Sequence, residues 1–262
     1  MKELFRIENN TNASDARSGW LSIGPGHMVM AAGTNEQLFQ LRYLGKETAG
    51  GWTDADLNSA EALLSGMLQP GAAVKVAFCF PETMLTPYSI TEAGAAAGIL
   101  GLSGQVQSTQ VPAWQVTINY AVPVQIMEWV ERVYGSVAVT HFSVPLLQHM
   151  RAGEEAGMLL LDIGRDTCTI IAGKNGQLLL VQAYPWSVAE DILFYLLKTV
   201  ETFSFSQQAT AVQVSGLVDT DSALYKELYQ YFIHIELRSC NWSTGPYPSH
   251  FFTALNDFAA CG

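Results

Sequence analysis

Charge is scarce in this chain. Of its 262 residues only 14% are Asp, Glu, Lys or Arg, and the 13 Lys and Arg are outnumbered by 24 Asp and Glu. With a formal charge of −11 and no cluster of basic residues, the chain lacks the electrostatic footprint that holds nucleic acid or anionic lipid. Long apolar runs are missing too. A bilayer span needs about 20 apolar residues, and the longest stretches here, such as Met158 to Ile163, are strand-sized. The opening MKELFRIENNTNASDARSGW has no apolar core of signal-peptide length. A cytoplasmic protein with no direct membrane insertion is the expectation.

Metal and nucleophile signatures are equally thin. The four cysteines, Cys79, Cys168, Cys240 and Cys261, show no CxxC spacing and read as free buried thiols. The histidines, His27, His141, His149, His234 and His250, contain no i, i+4 pair of the kind that binds zinc on a helix. Gly101-Leu102-Ser103-Gly104 is not a nucleophile elbow, because its serine is not flanked by glycine at both second positions. His141 reads as a structural side chain on a strand, and Glu154-Glu155 as a solvated turn. No catalytic residue and no metal site is expected from these patterns.

What the chain does have is a core. Hydrophobic residues make up 49%, and the length suits one large domain or two small ones. After a loose leader over residues 1–17, three short strands are predicted at Trp20–Ile23, Met28–Ala32 and Leu38–Tyr43, joined by glycine turns. A helix over Asp54–Leu68, capped by Thr53 or Asp54, leads to an almost wholly apolar strand at Val74–Phe80. A weak helix at Ala93–Leu100 follows. Next come a strand at Trp114–Tyr120, an amphipathic helix at Pro123–Val133, a strand at Ser136–His141 and a short helix at Pro145–Met150. Residues 151–155 look like a linker. Beyond it the pattern restarts. Strands are expected at Met158–Asp162, Cys168–Ala172 and Gln177–Ala183, then a helix at Ser187–Thr202 and a strand at Ala211–Ser215. A helix at Ser222–Phe232, a strand at Ile235–Arg238 and a terminal helix over Ser249–Ala260 complete the chain. The repeated order implies an internal duplication: a first lobe over 18–155 and a second over 156–262, with the turns Gly24–Gly26 and Gly164–Asp166 facing each other across a cleft.

This layout resembles the actin-like ATPase superfamily, which includes actin, sugar kinases, Hsp70 chaperones and the cell-division and pilus-assembly actin-like proteins. Leu21-Ser22-Ile23-Gly24-Pro25-Gly26-His27 sits where bacterial members carry a first Asp-containing hairpin. Leu161-Asp162-Ile163-Gly164-Arg165-Asp166-Thr167-Cys168-Thr169 sits where they carry a second, and Val214-Ser215-Gly216 where a glycine turn meets adenosine. More narrowly, Phe80-Pro81-Glu82, Val214-Ser215-Gly216 and the tail from His250-Phe251-Phe252 to Cys261 are similar to an uncharacterised Bacteroidetes family catalogued as a domain of unknown function. The resemblance implies an α/β fold of duplicated, ribonuclease H-like lobes, with mixed sheets flanked by helices. It also implies a nucleotide site at Gly24, Gly26, Asp162, Gly164, Arg165, Thr167, Ser215 and Gly216, with Asp162 near any Mg²⁺.

The loop tips depart from that pattern. Ser22 stands where the first Asp is implied, and Pro25 has no N–H to offer a phosphate. Arg165 and Asp166 replace a glycine pair, and Asp166 brings negative charge to the phosphate position. Each lost hydrogen bond to a charged group costs roughly 1.5–3 kcal/mol. Arg165 has two readings: it binds phosphate directly, or it pairs with Asp166 or lies in solvent. The second fits a perturbed glycine loop better. A scaffold or adaptor with a degenerate nucleotide site, no cofactor and a protein partner is therefore expected, with homo-oligomerisation left open. The alternative is an ATP-binding or ATP-hydrolysing protein using Mg-ATP through Asp162 and Arg165.

Overall fold

A computed structural model describes residues 1–9, 16–89, 104–150 and 155–261. The chain is built on two mixed sheets. The first has six strands in the order β1-β4-β3-β2-β5-β9: β1 (Lys2–Glu8), β2 (Ser18–Ile23), β3 (His27–Gly33), β4 (Leu38–Gly45), β5 (Ala73–Phe78) and β9 (Ala138–His141). The second has five in the order β12-β11-β10-β13-β14: β10 (Met158–Ile163), β11 (Thr167–Lys174), β12 (Gln177–Pro185), β13 (Ala211–Gly216) and β14 (His234–Leu237). In each, an antiparallel meander is extended by parallel strands. β2 pairs β5 and β10 pairs β13, so Ser22 lies opposite Ala77 and Asp162 opposite Ser215. The duplicated α/β architecture is the expected one.

Central strands with both faces covered read as unbroken apolar runs rather than alternating ones. Along β10, Leu159, Leu161 and Ile163 face a core shared with α4 (Ala189–Thr202) and α5 (Ala223–Tyr231) through Ile192, Leu196, Leu224 and Leu228. Met158 and Leu160, on the opposite face, join the first lobe's core, together with Ile171 and Val181. The two lobes thus share an apolar face. Into the same core packs the terminal helix α6 (Thr253–Ala260), preceded by a 3₁₀ turn at Ser249–Phe252; Phe252 of the turn and Leu255 and Phe258 of the helix are buried in it. Asp257 fixes that helix, bonding Arg238 at 2.6 Å and His149 at 2.8 Å.

Several expectations need correction. Residues 2–8 are not part of a loose leader but an edge strand, paired antiparallel to β4. Exposed charges alternate along it with half-buried residues, which masks the strand pattern. A third sheet, β6-β8-β7, combines β6 (Thr83–Pro87), β7 (Gln105–Val111) and β8 (Val116–Val122). Trp114 belongs to the 3₁₀ turn over Pro112–Trp114 rather than to the strand that follows. Helix α1 (Asp54–Leu64) stops short of Leu68. Thr53 caps it, accepting from the Asp56 N–H while Asp56 accepts from Thr53 N–H. The other helices are α2 (Val124–Tyr134) and the short α3 (Ser143–Leu147). The expected helix at 93–100 lies outside the described residues, as does nearly all of the expected linker.

Candidate functional site

The β2–β3 and β10–β11 hairpins are built alike. Gly24 N–H donates to His27 O at 2.9 Å, and Gly164 N–H to Thr167 O at 2.8 Å. A tryptophan just ahead of the following helix braces each turn. The Trp52 indole donates to Gly24 O at 3.0 Å, and the Trp186 indole to Gly164 O at 3.1 Å. The repeat reaches the helix starts, where Asp56 and Asp191 accept backbone N–H groups of the cap. The recurrence of Trp52-Thr53-Asp54-Ala55-Asp56 as Trp186-Ser187-Val188-Ala189-Glu190-Asp191 is the sequence signal for this brace.

The two turns meet tip to tip. His27 Nδ1 lies 3.2 Å from Asp166 Oδ1. The Asp166 carboxylate also lies against Gly26 and leaves no room for a Cβ there. Arg165, exposed, lays its guanidinium over Gly45 at the end of β4.

Between the hairpins remains a cavity of about 50 Å³, walled by Ser22, His27, Tyr43, Asp162, Gly164 and Gly216 with Leu217, Phe251, Phe252 and Leu255. That is room for a few water molecules; pockets that enclose drug-sized ligands run to about 300–1,000 Å³. The structure thus brings Gly24, Gly26, Asp162, Gly164, Thr167, Ser215 and Gly216 to one place, while Arg165 reaches past the cavity onto β4. Asp162 accepts from Ser215 Oγ at 2.7 Å. Burial pushes the Asp162 carboxyl above its usual range, against the lowering effect of that bond and of Arg238. Gly216 is required by its backbone: φ is +91°, and a Cβ would press on the Ile163 backbone.

His27 is the polar hub of the cavity wall. It is buried, stacks on Tyr43 and approaches Cys79 Sγ with Nε2 at 3.6 Å. Burial opposes its charge, but Cys79 and Asp166 outweigh that and push the imidazole up to about 10. His141 is the contrasting case. It is buried beside Ser143 Oγ at 2.6 Å and near Phe80 O, and burial drives it down to about 4. Tyr43, Cys79 and the aromatic pair Phe251-Phe252 carry no local motif. Tyr43 and Phe251-Phe252 reach the cavity from β4 and the C-terminal segment, and Cys79, just after β5, backs its wall through His27 and Ser22. Among the described residues no three His, Cys, Asp or Glu side chains converge as a metal-binding group.

The model of the family described as a protein of unknown function, DUF3822, matches residues 72–235. No curated protein sequence matches the chain. Among solved structures, it is similar to a Bacteroides thetaiotaomicron protein described as having an actin-like ATPase fold and unknown function. The TM-score is 0.73 at 16% identity, over 97% of this chain and 100% of that one. It is also similar to a chain of the PilM–PilN type IV pilus biogenesis complex (TM-score 0.62, 14% identity, 93% of this chain and 98% of that one). A third likeness is to the ethanolamine utilization protein EutJ from Carboxydothermus hydrogenoformans (TM-score 0.53, 10% identity, 93% of this chain and 89% of that one). These likenesses give the fold: an actin-like ATPase fold, as the duplicated sheets imply.

Proposed function

Because the chain belongs to the DUF3822 family and carries an actin-like ATPase fold, we propose that it is a non-catalytic cytoplasmic scaffold or adaptor. In this reading its nucleotide cleft has become a contact between lobes, and its partner is a protein. One observation carries the proposal. Asp166, at the tip of the second hairpin, is paired with His27 and packed on Gly26 of the first. On this reading, the two turns that would flank phosphates contact each other instead.

The fit of Mg-nucleotide to these residues is poor. The cavity is far smaller than a nucleotide, and its one carboxylate, Asp162, is already engaged by Ser215. Ser22 supplies no charge for a metal, and Pro25 supplies no N–H. Phosphoryl transfer depends on positioning and charge stabilisation acting together, so these partial losses weigh heavily. Use of the fold to hold a partner has a parallel in the PilM–PilN complex.

A phosphate-release assay with Mg-ATP, run on the wild type and on Asp162→Ala, tests the reading. No turnover above the buffer rate in either protein is expected. Turnover that Asp162→Ala abolishes would overturn it in favour of an ATP-hydrolysing protein.

A further inference from the structure

Three side chains at the lobe contact form a relay that the adaptor reading does not use. Cys79 Sγ lies 3.6 Å from His27 Nε2, and His27 Nδ1 lies 3.2 Å from Asp166 Oδ1. Ser22 Oγ stands 3.8 Å from the same sulfur. A nucleophile beside a base, with the base oriented by a carboxylate, is the arrangement that activates serine and cysteine in unrelated folds. We propose that Cys79 is a peroxide-reactive thiol, with His27 as its base and with Asp166, supplied by the other lobe, as the positioning carboxylate.

Space selects the electrophile. Ser22 and His27 both touch Cys79 Sγ and both wall the 50 Å³ cavity, so the buried thiol stands behind that wall, and only a molecule of a few atoms that passes between these two side chains reaches it. Peptides and nucleotides are too large. A small hydroperoxide meets that condition. On its other side the sulfur is packed against Gly24, where a Cβ would lie 2.9 Å from Cys79 Sγ.

The step balances within the relay. The cysteine sulfur attacks one peroxide oxygen, an S–O bond forms and the O–O bond breaks. The proton shared between Sγ and Nε2 is on His27 at that moment and passes to the departing hydroxide, which leaves as water. Sulfur is oxidised, peroxide is reduced, and the product is a sulfenic acid. Cys79 is a free cysteine and its polar neighbours are Ser22 and His27, so no disulfide forms in place. The proposal uses the closed cleft but does not rest on the adaptor reading.

The test treats the full chain, folded, with hydrogen peroxide and dimedone and maps the adduct by mass spectrometry. Cys79 should be labelled at least about tenfold faster than Cys240 and Cys261. Both of those are more exposed, and their thiols are pushed up by burial. His27→Gln should slow labelling of Cys79 by about tenfold or more. Asp166→Asn should change its pH profile between about pH 6 and 9. Tyr43, Cys79, Asp162 and Asp166 face His27 from β4, the end of β5, β10 and the second hairpin, and removing one charge alters the field at the ring. Labelling of Cys240 or Cys261 ahead of Cys79 would overturn the proposal, and that comparison needs only the wild type. Equal Cys79 labelling in a folded His27→Gln protein would overturn it as well.

Discussion

His27 of the first lobe and Asp166 of the second stand 3.2 Å apart, Nδ1 to Oδ1, at the point where the two hairpins converge. In a protein that clamps phosphate, both tips would point backbone N–H groups at the ligand. Here a side chain from one tip neutralises a side chain from the other. The Arg165 guanidinium adds a second link, lying over Gly45 of the first sheet. The hairpin tips thus add polar links to the apolar core that the two sheets share.

The pair has a pH signature. His27 titrates at about 10 in the folded chain against about 6.5 when unfolded, so its stabilising contribution is complete below about pH 6.5 and is lost as pH rises through about 10. His141 has the opposite sign. Folded at about 4, it withdraws stability as pH falls from about 6.5 through 4. Imidazole resonances followed by NMR should show His27 still protonated at pH 8 and His141 still neutral at pH 5. A His27 ring that titrates near 6.5 would remove the electrostatic basis of the lobe contact.

Asp257 anchors the terminal helix in the shared core, and its two partners should differ in worth. Its bond with Arg238 is nearly buried on both sides, with side chains 9% and 10% exposed, whereas His149 is 41% exposed. Asp257→Ala strands a buried guanidinium and should cost about 3–5 kcal/mol. His149→Ala should cost less than about 1 kcal/mol. Urea denaturation of the two variants checks the contrast.

Gly216 and Gly71 separate backbone strain from steric exclusion. Both have positive φ, +91° and +81°, but a Cβ at Gly71 meets nothing within 4 Å, whereas one at Gly216 would come within 2.6 Å of Ile163 N. Gly71→Ala should lose about 1–2 kcal/mol from the left-handed conformation alone. Gly216→Ala should lose about 3 kcal/mol or more, since the β10–β13 backbones must also part. Equal losses in denaturation midpoints would refute the crowding at Gly216.

Much of the architecture was legible because local pattern and burial agree. The glycine-punctuated meanders and the apolar runs of β5 and β10 announce sheets covered on both faces. Strands β1 and β7 were hidden for the opposite reason. KELFRIE and QVQSTQV carry polar residues along exposed faces, so they look like loop until a partner strand is known. At the cavity, the positions of Ser22, Asp162, Gly164 and Gly216 follow from the hairpin motifs. Tyr43, Phe251 and Leu255 arrive there, and Cys79 reaches His27 behind its wall, by long-range packing that no short pattern encodes. The sequence suggested Arg165 beside Asp166 as neighbours in one turn, but each side chain turns to a different part of the first lobe, Gly45 and His27.

Titration calorimetry with Mg-ATP on the wild-type chain tests the central claim most directly, because a ligand that recognises the folded state must also stabilise it. With the hairpins closed on each other through His27 and Asp166, no binding heat and no rise in melting temperature are expected at millimolar nucleotide. Saturable binding in the micromolar range, lost in Asp162→Ala, would contradict the account and show that the lobes part to admit a nucleotide.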